Sequence, residues 1–164
     1  MEHMLSDAEI DSFLASQIFG HLGCADAGKP YVIPMAFAFH ANVIYGQTTE
    51  GRKTEMLRKN PFVCFQVEHQ NEKEWRSVMC WGSFEELDFE KMDKADAIDI
   101  TKRLSEHLGE IQNTVGVVVP FSFGEKAEAL TRNNKKSTLF RILVSEKTGR
   151  SFSPDATQTP GRNP

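Results

Sequence analysis

The chain has 164 residues, 40% of them hydrophobic and 26% charged, with a formal net charge of −4. That length suits one domain with a sizeable core. The acidic balance disfavours a general nucleic-acid or anionic-membrane binder, and no apolar run reaches the ~20 residues that a membrane-spanning helix needs.

Residues 1–7 show no basic segment leading into an apolar core, so no secretory leader is expected there. Cys24, Cys64 and Cys80 lie far apart, without C-x-x-C or zinc spacing, inside apolar runs. They read as small hydrophobes in a reducing, cytoplasmic setting, and no metal site is expected.

In chain order, residues 6–17 predict a helix. Ser6 and Glu9 form a capping-box pattern, and Ile10, Phe13 and Leu14 fall on one face. Residues 18–25 predict a short strand, followed by a turn at Asp26-Ala27-Gly28-Lys29. Residues 30–40 (P-Y-V-I-P-M-A-F-A-F-H) are nearly all apolar, as expected of a strand covered on both faces by a barrel interior and a neighbour or a second subunit. Pro34 is expected to break the ladder there and leave backbone groups for a flat ligand. A hairpin turn at His40-Ala41-Asn42 leads into a strand over 43–49.

Residues 62–68 and 74–87 predict two further strands, with Gly82 a bulge or kink in the second. Residues 89–111 predict a helix on the spacing of Ile98, Thr101, Leu104 and Leu108. A strong β stretch follows at 115–123, then a polar segment at 124–136 and a last strand at 138–146. Residues 1–148 are expected to form the domain, and 149–164, with three prolines and little apolar content, a flexible tail. Short antiparallel connections dominate, and no G-x-G-x-x-G follows a strand. The fold class is therefore mainly β: a small closed or partly closed antiparallel barrel with appended helices.

The segment most suggestive of chemistry is V-I-Y-G-Q-T-T-E-G-R-K-T-E-M-L-R-K-N-P, residues 43–61. A strand ends in hydroxyl and amide side chains, turns at Gly51, and starts a short helix with Arg52 and Lys53. Helix N-termini expose unpaired N–H groups and a positive dipole end, so this is a candidate phosphate site. Arg52, Lys53, Arg58 and Lys59 would equally serve as a solvated helix face. No Ser-His-Asp, paired-carboxylate or metal-ligand pattern accompanies it, and no catalytic residue is singled out. The histidines show no ligand spacing.

Taken together, P-Y-V-I-P-M-A-F-A-F, I-Y-G-Q-T-T-E-G-R-K, N-P-F-V-C-F-Q-V and W-R-S-V-M-C-W-G, in that order, resemble the pyridoxamine 5′-phosphate oxidase-like FMN-binding split-barrel family. Within it, the sequence is most similar to the branch that includes the 5-nitroimidazole reductases. The resemblance covers about residues 5–148 and implies a six-stranded antiparallel Greek-key split β-barrel with appended helices. It also implies a homodimer with FMN at the subunit interface, acting as an oxidoreductase on a small molecule.

The resemblance further implies that Arg52 and Lys53 grip the FMN phosphate, with Gln47 and Thr48 beside the phosphate and ribityl chain. Pro34, Met35, Ala36 and Phe37 would run along the isoalloxazine ring, Ser77 would reach the flavin from another strand, and Trp75 would stand near the pocket. Members of that branch commonly carry histidine where this chain has Gln47. Glutamine hydrogen-bonds but supplies no proton near neutral pH, so the resemblance implies flavin binding more firmly than nitroimidazole reduction. No second basic cluster for a substrate phosphate is visible, which argues against pyridoxamine phosphate as substrate. The alternative class is a non-catalytic barrel that stores or senses flavin or holds haem, with His40 or His107 as a candidate haem ligand.

Overall fold

The computed structural model describes residues 2–88, 95, 99, 102, 106, 131–132 and 135–153. In chain order the elements are β1 (Glu2–Met4), α1 (Asp7–Ser16), β2 (Phe19–Asp26), β3 (Lys29–His40), β4 (Val43–Thr49), α2 (Arg52–Lys59), β5 (Phe62–Gln70), β6 (Trp75–Glu86), β7 (Thr131–Arg132) and β8 (Lys135–Phe152).

Six of the strands close into an antiparallel barrel in the order β8-β4-β3-β2-β5-β6, with β6 pairing back onto β8. β2, β3 and β4 form a meander, and β5 returns beside β2 rather than β4. The spatial order β5-β2-β3-β4 is a Greek key, and α2 is the long connection that makes it.

Local sequence sets the corners. At both hairpins the two central residues have positive φ: Ala27 (49°) and Gly28 (76°), then Ala41 (48°) and Asn42 (61°). Two such residues in succession give a turn whose twist matches that of the flanking strands. α1 begins where the capping box predicts. The Glu9 N–H donates to Ser6 Oγ (3.4 Å), and the Ser6 N–H and hydroxyl donate to Glu9 Oε2 (2.8 and 2.7 Å). Those bonds from Ser6 hold the Glu9 carboxyl at about 2, below the usual carboxylate range.

Alternation along each strand sends one set of side chains inward. Leu22, Met35, Phe37, Ile44, Phe65, Val67, Val78, Cys80, Phe84, Phe140 and Ile142 fill the barrel, joined by Ile10, Phe13 and Leu14 of α1 and Met56 and Leu57 of α2. Phe37 and Phe65 meet edge to face with ring centroids 5.0 Å apart. The irregularity expected at Gly82 is present. The β6–β8 register shifts between Trp81 and Gly82, leaving Ser145 as the extra residue. A Cβ on Gly82 would meet the Leu143 carbonyl oxygen at 2.3 Å.

Two local expectations differ. β3 runs through Pro34 without a break, with Pro34 opposite His21. Proline is tolerated because residues 29–36 pair with β2 alone, making this an edge of the ladder. β8 continues past residue 148 to Phe152, where Gly149, Arg150, Ser151 and Phe152 pair with β6 and the last three also with β1. Of the helix expected over 89–111, Ala95, Asp99, Lys102 and Glu106 are described, and all four are helical and exposed. The strand expected over 115–123 lies outside the described residues, as do 154–164.

Candidate functional site

The barrel is split between β3 and β4. They pair from Phe37↔Gly46 to His40↔Val43 and then diverge. Beyond that point β3 pairs only with β2, and β4 pairs only with β8 through Gln47↔Leu139, Thr48↔Thr138 and Thr49↔Ser137. Among the described residues, two backbone edges thus face a common opening. The outward side chains of β3 there are small or rigid: Pro34, Ala36 and, just inside the paired region, Ala38 opposite Tyr45. Met35 and Phe37 point the other way, into the core. Of the four β3 residues expected along a flat ring, Pro34 and Ala36 point outward on the stretch that lacks β4, whereas Met35 and Phe37 point into the core, and Phe37 is paired with Gly46 and donates its N–H to the Ile18 carbonyl (3.0 Å).

On β4 the same alternation separates Gln47 from Thr48. Gln47 is half-buried on the outward face, whereas Thr48 is buried in the interior, its hydroxyl 3.4 Å from the Thr49 carbonyl. Gly46, between Tyr45 and Gln47, leaves room for the Phe140 ring, which a Cβ would meet at 2.5 Å.

α2 closes the far end of the opening. Its first turn is built by Thr54, whose fully buried hydroxyl accepts from the Gly51 N–H (2.9 Å) and donates to the Gly51 carbonyl (2.7 Å). The Glu55 N–H makes the first helical bond, to Gly51 O at 3.1 Å, and Gly51 supplies no side-chain cap. The N–H groups of the first turn are therefore available to a ligand. The C-terminal end is tied down by Asn60, which donates to the Ala25 carbonyl at 3.0 Å.

The basic residues of α2 divide into two pairs. Arg58 is committed: its NH1 donates to Glu50 Oε2 (2.9 Å) and its Nε to Glu86 Oε1 (2.7 Å), and these bonds, Glu50's first, hold its proton more tightly than usual. Lys59 pairs with Asp26 at 3.1 Å. Arg52 and Lys53 have no carboxylate partner among the described residues. The Arg52 guanidinium lies over the Tyr31 ring, 5.8 Å from its centroid. Lys53 is half-buried, and burial lowers its pKa, opposed by the neighbouring Cys24 thiol. Burial raises that thiol in turn, against the Lys53 charge. An ammonium half-buried at an uncapped helix start, with no carboxylate beside it among the described residues, favours an anionic ligand.

Ser77 is not brought to this corner within one chain. It lies on the outward face of β6, within 3.4 Å of Gln66 Nε2, and although only β8 stands between β6 and β4, Ser77 pairs with Arg150 at one end of that strand and Gln47 with Leu139 near the other. Trp75 is near Ser77, opposite Phe152, at the same end of the barrel. Tyr31, under the Arg52 guanidinium, is the side chain at this corner that the sequence alone did not single out. It is the one side chain with a polar tip in the first half of the apolar run 30–40, and only the placement of Arg52 over its ring sets it apart. Among the described residues no group of His, Cys, Asp and Glu could hold a metal ion, and no helix is long and apolar enough to cross a membrane.

Fold and corner together define a Greek-key split barrel whose opening meets an uncapped helix start carrying Arg52 and Lys53. The family profile for pyridoxamine 5′-phosphate oxidase matches residues 6–151, and the chain belongs to that family. A solved FAD-binding protein from Mesorhizobium loti is 26% identical, with 93% of this chain and 99% of that one superposed at a TM-score of 0.70. A Bacteroides thetaiotaomicron protein, described as a candidate 5-nitroimidazole antibiotic resistance protein, shares the fold at 20% identity (TM-score 0.68; 92% and 87% covered). An uncharacterised protein of Rhizobium meliloti is 29% identical over 85 residues, 51% of this chain; the match spans 56% of that relative's length.

Proposed function

We propose that this protein is a flavin-dependent oxidoreductase of a small molecule, working as a homodimer. The observation that carries the reading is Lys53, a half-buried cation without a carboxylate among the described residues, beside the uncapped first turn of α2. The flavin mononucleotide moiety fits the opening by chemistry. Its phosphate would be held by Lys53, Arg52 and the first-turn N–H groups. Its ring would lie along β3 between Pro34, Met35, Ala36 and Phe37, with Gln47 alongside and Thr48 shaping β4 from within. When bound, the flavin supplies the electron chemistry; the protein's part is to bind, orient and exclude water. Family membership and the FAD-binding relative support the same reading.

The dimer is supported by an apolar outward face. One cross-strand row runs Val32–Gly23–Cys64–Trp81 across β3, β2, β5 and β6. Val32 is 65% and Trp81 40% exposed, and Phe62, at the start of β5, is 76% exposed. Such a face adjoining the split suits a second copy, which would also bring Ser77 to the flavin. Three free cysteines suit a reducing compartment such as the cytoplasm.

The test is anaerobic. Purified protein loaded with flavin should lose its visible flavin absorbance on addition of a reduced nicotinamide and regain it with an oxidised small-molecule acceptor. Tight flavin binding without reduction by any donor would mean storage or sensing instead.

A further inference from the structure

Pro34 and Ala36, the outward side chains on the open stretch of β3, have partners on β2 that share their face. His21 stands opposite Pro34, and Phe19 opposite Ala36. Directly opposed residues of an antiparallel pair hold their Cβ atoms about 5 Å apart. Both His21 and Phe19 are exposed. On its other side His21 pairs with Gln66 of β5, whose Nε2 donates to Glu68 Oε2 (3.2 Å) and lies 3.4 Å from Ser77 Oγ. A polar row thus leads from Pro34 through His21 and Gln66 to Glu68 and Ser77, beside the apolar Val32–Trp81 row.

Among the described residues, His21 is the only histidine beside this stretch. His40 is four residues past Ala36, roughly 13 Å along the strand. His3 lies on β1 and His69 near the end of β5. Gln47, on the β4 side, supplies no proton near neutral pH. The groups that face the imidazole are Val32, Pro34 and Ala36 on β3 and Cys64, Gln66 and Glu68 on β5, and Glu68 is the one charged side chain among them. With no cation in the row, it suits a neutral ligand better than a phosphate ester.

We propose that His21 is the acid of the reductive step, protonating a neutral conjugated carbonyl acceptor of the quinone type that rests over Pro34. The inference rests on the reading that places the flavin ring along β3. A hydride, supplied first by the reduced nicotinamide and passed on through the flavin, adds to the acceptor and drives an electron pair onto its carbonyl oxygen. That oxygen forms an O–H bond as the imidazolium N–H bond breaks. Hydride and proton together complete a two-electron reduction, and the exposed imidazole takes its proton back from water.

The test has a binding arm and a kinetic arm. Histidine ring resonances are followed by NMR as flavin is added to the full chain, with His21→Gln assigning the His21 signals; loading should shift them. Menadione should reoxidise the reduced, flavin-loaded wild type at least about 100-fold faster than His21→Gln. The wild-type rate should fall as pH rises through the range where an imidazole loses its proton, and the variant should lack that fall. Flavin reduction by the nicotinamide moves a hydride alone, so the two proteins should match there and differ in flavin affinity by less than about threefold. His21 signals that ignore bound flavin, a variant reoxidised as fast as the wild type, or one slowed equally in both half-reactions would overturn the role of His21 and leave the flavin site standing. Failure of the wild type to bind flavin would overturn both.

Discussion

Phe37 and Gly46 face each other across β3 and β4 and are the last pair those strands share before the barrel opens. The opening therefore begins where a bare glycine lets the Phe140 ring lie under the strand, since a Cβ there would come within 2.5 Å of it. Gly46→Ala should push the Phe140 ring or β4 aside. Overpacking of this kind costs roughly 1–3 kcal/mol, and about 2–4 °C of Tm accompanies each kcal/mol in a chain of this size. Thermal unfolding followed by circular dichroism checks it. An unchanged Tm would mean that the core yields freely at this point.

Lys53 is expected to trade stability for binding. Lys53→Met removes a charge that burial disfavours, so the flavin-free variant should melt higher than the wild type, while flavin affinity falls by about 10- to 150-fold for one lost charge-assisted bond. The pH dependence has a definite sign. Because the folded-state pKa lies below the ordinary 10.5, the unfolded chain holds more protons in the interval between the two values, and stability rises with pH through it. The advantage of Lys53→Met over the wild type should thus shrink toward alkaline pH in urea titrations. A variant that melts lower at neutral pH would show that Lys53 has a stabilising partner.

Arg58 is the control within the same helix. It is exposed and engaged by Glu50 and Glu86, so Arg58→Ala should cost under about 1 kcal/mol and change flavin affinity by less than about threefold. A loss as large as that of Lys53→Met would mean that the whole basic cluster, and not its first two members, holds the ligand.

How much of this was legible in the sequence depends on the range of the interactions. The Ser6–Glu9 capping box, both hairpin turns and the Gly82 irregularity are written in a few adjacent residues, and each appears where those residues place it. Barrel closure is not local. β8 must pair with β4 and β6, and its last turns of sequence, T-G-R-S-F, look like a polar tail until the partners Trp75, Arg76, Ser77 and Val78 are set beside them. β1 is missed for the same reason, being three exposed residues that form a strand only against Arg150, Ser151 and Phe152. At the corner, the sequence marked four basic residues as one cluster. Their division into committed and uncommitted pairs needed Glu50, Glu86 and Asp26, of which the last two arrive from distant strands.

The apolar outward face makes an assembly prediction. Val32→Asp puts a charge at one end of the Val32–Trp81 row, on a side chain that one chain alone leaves exposed, so folding should survive while association does not. Light scattering should give the wild type twice the mass of the variant. A monomeric wild type would remove the dimer, and with it the route by which Ser77 reaches the flavin.

The central claim is that Arg52 and Lys53 at the start of α2 hold the flavin phosphate. It is tested most directly by titrating flavin into the wild type and into the double variant Arg52→Ala/Lys53→Ala, with far-ultraviolet circular dichroism as the check on folding. The account predicts unchanged circular dichroism and an affinity lower by at least about 100-fold, from the loss of two charge-assisted contacts. A folded double variant that binds flavin as tightly as the wild type would contradict it.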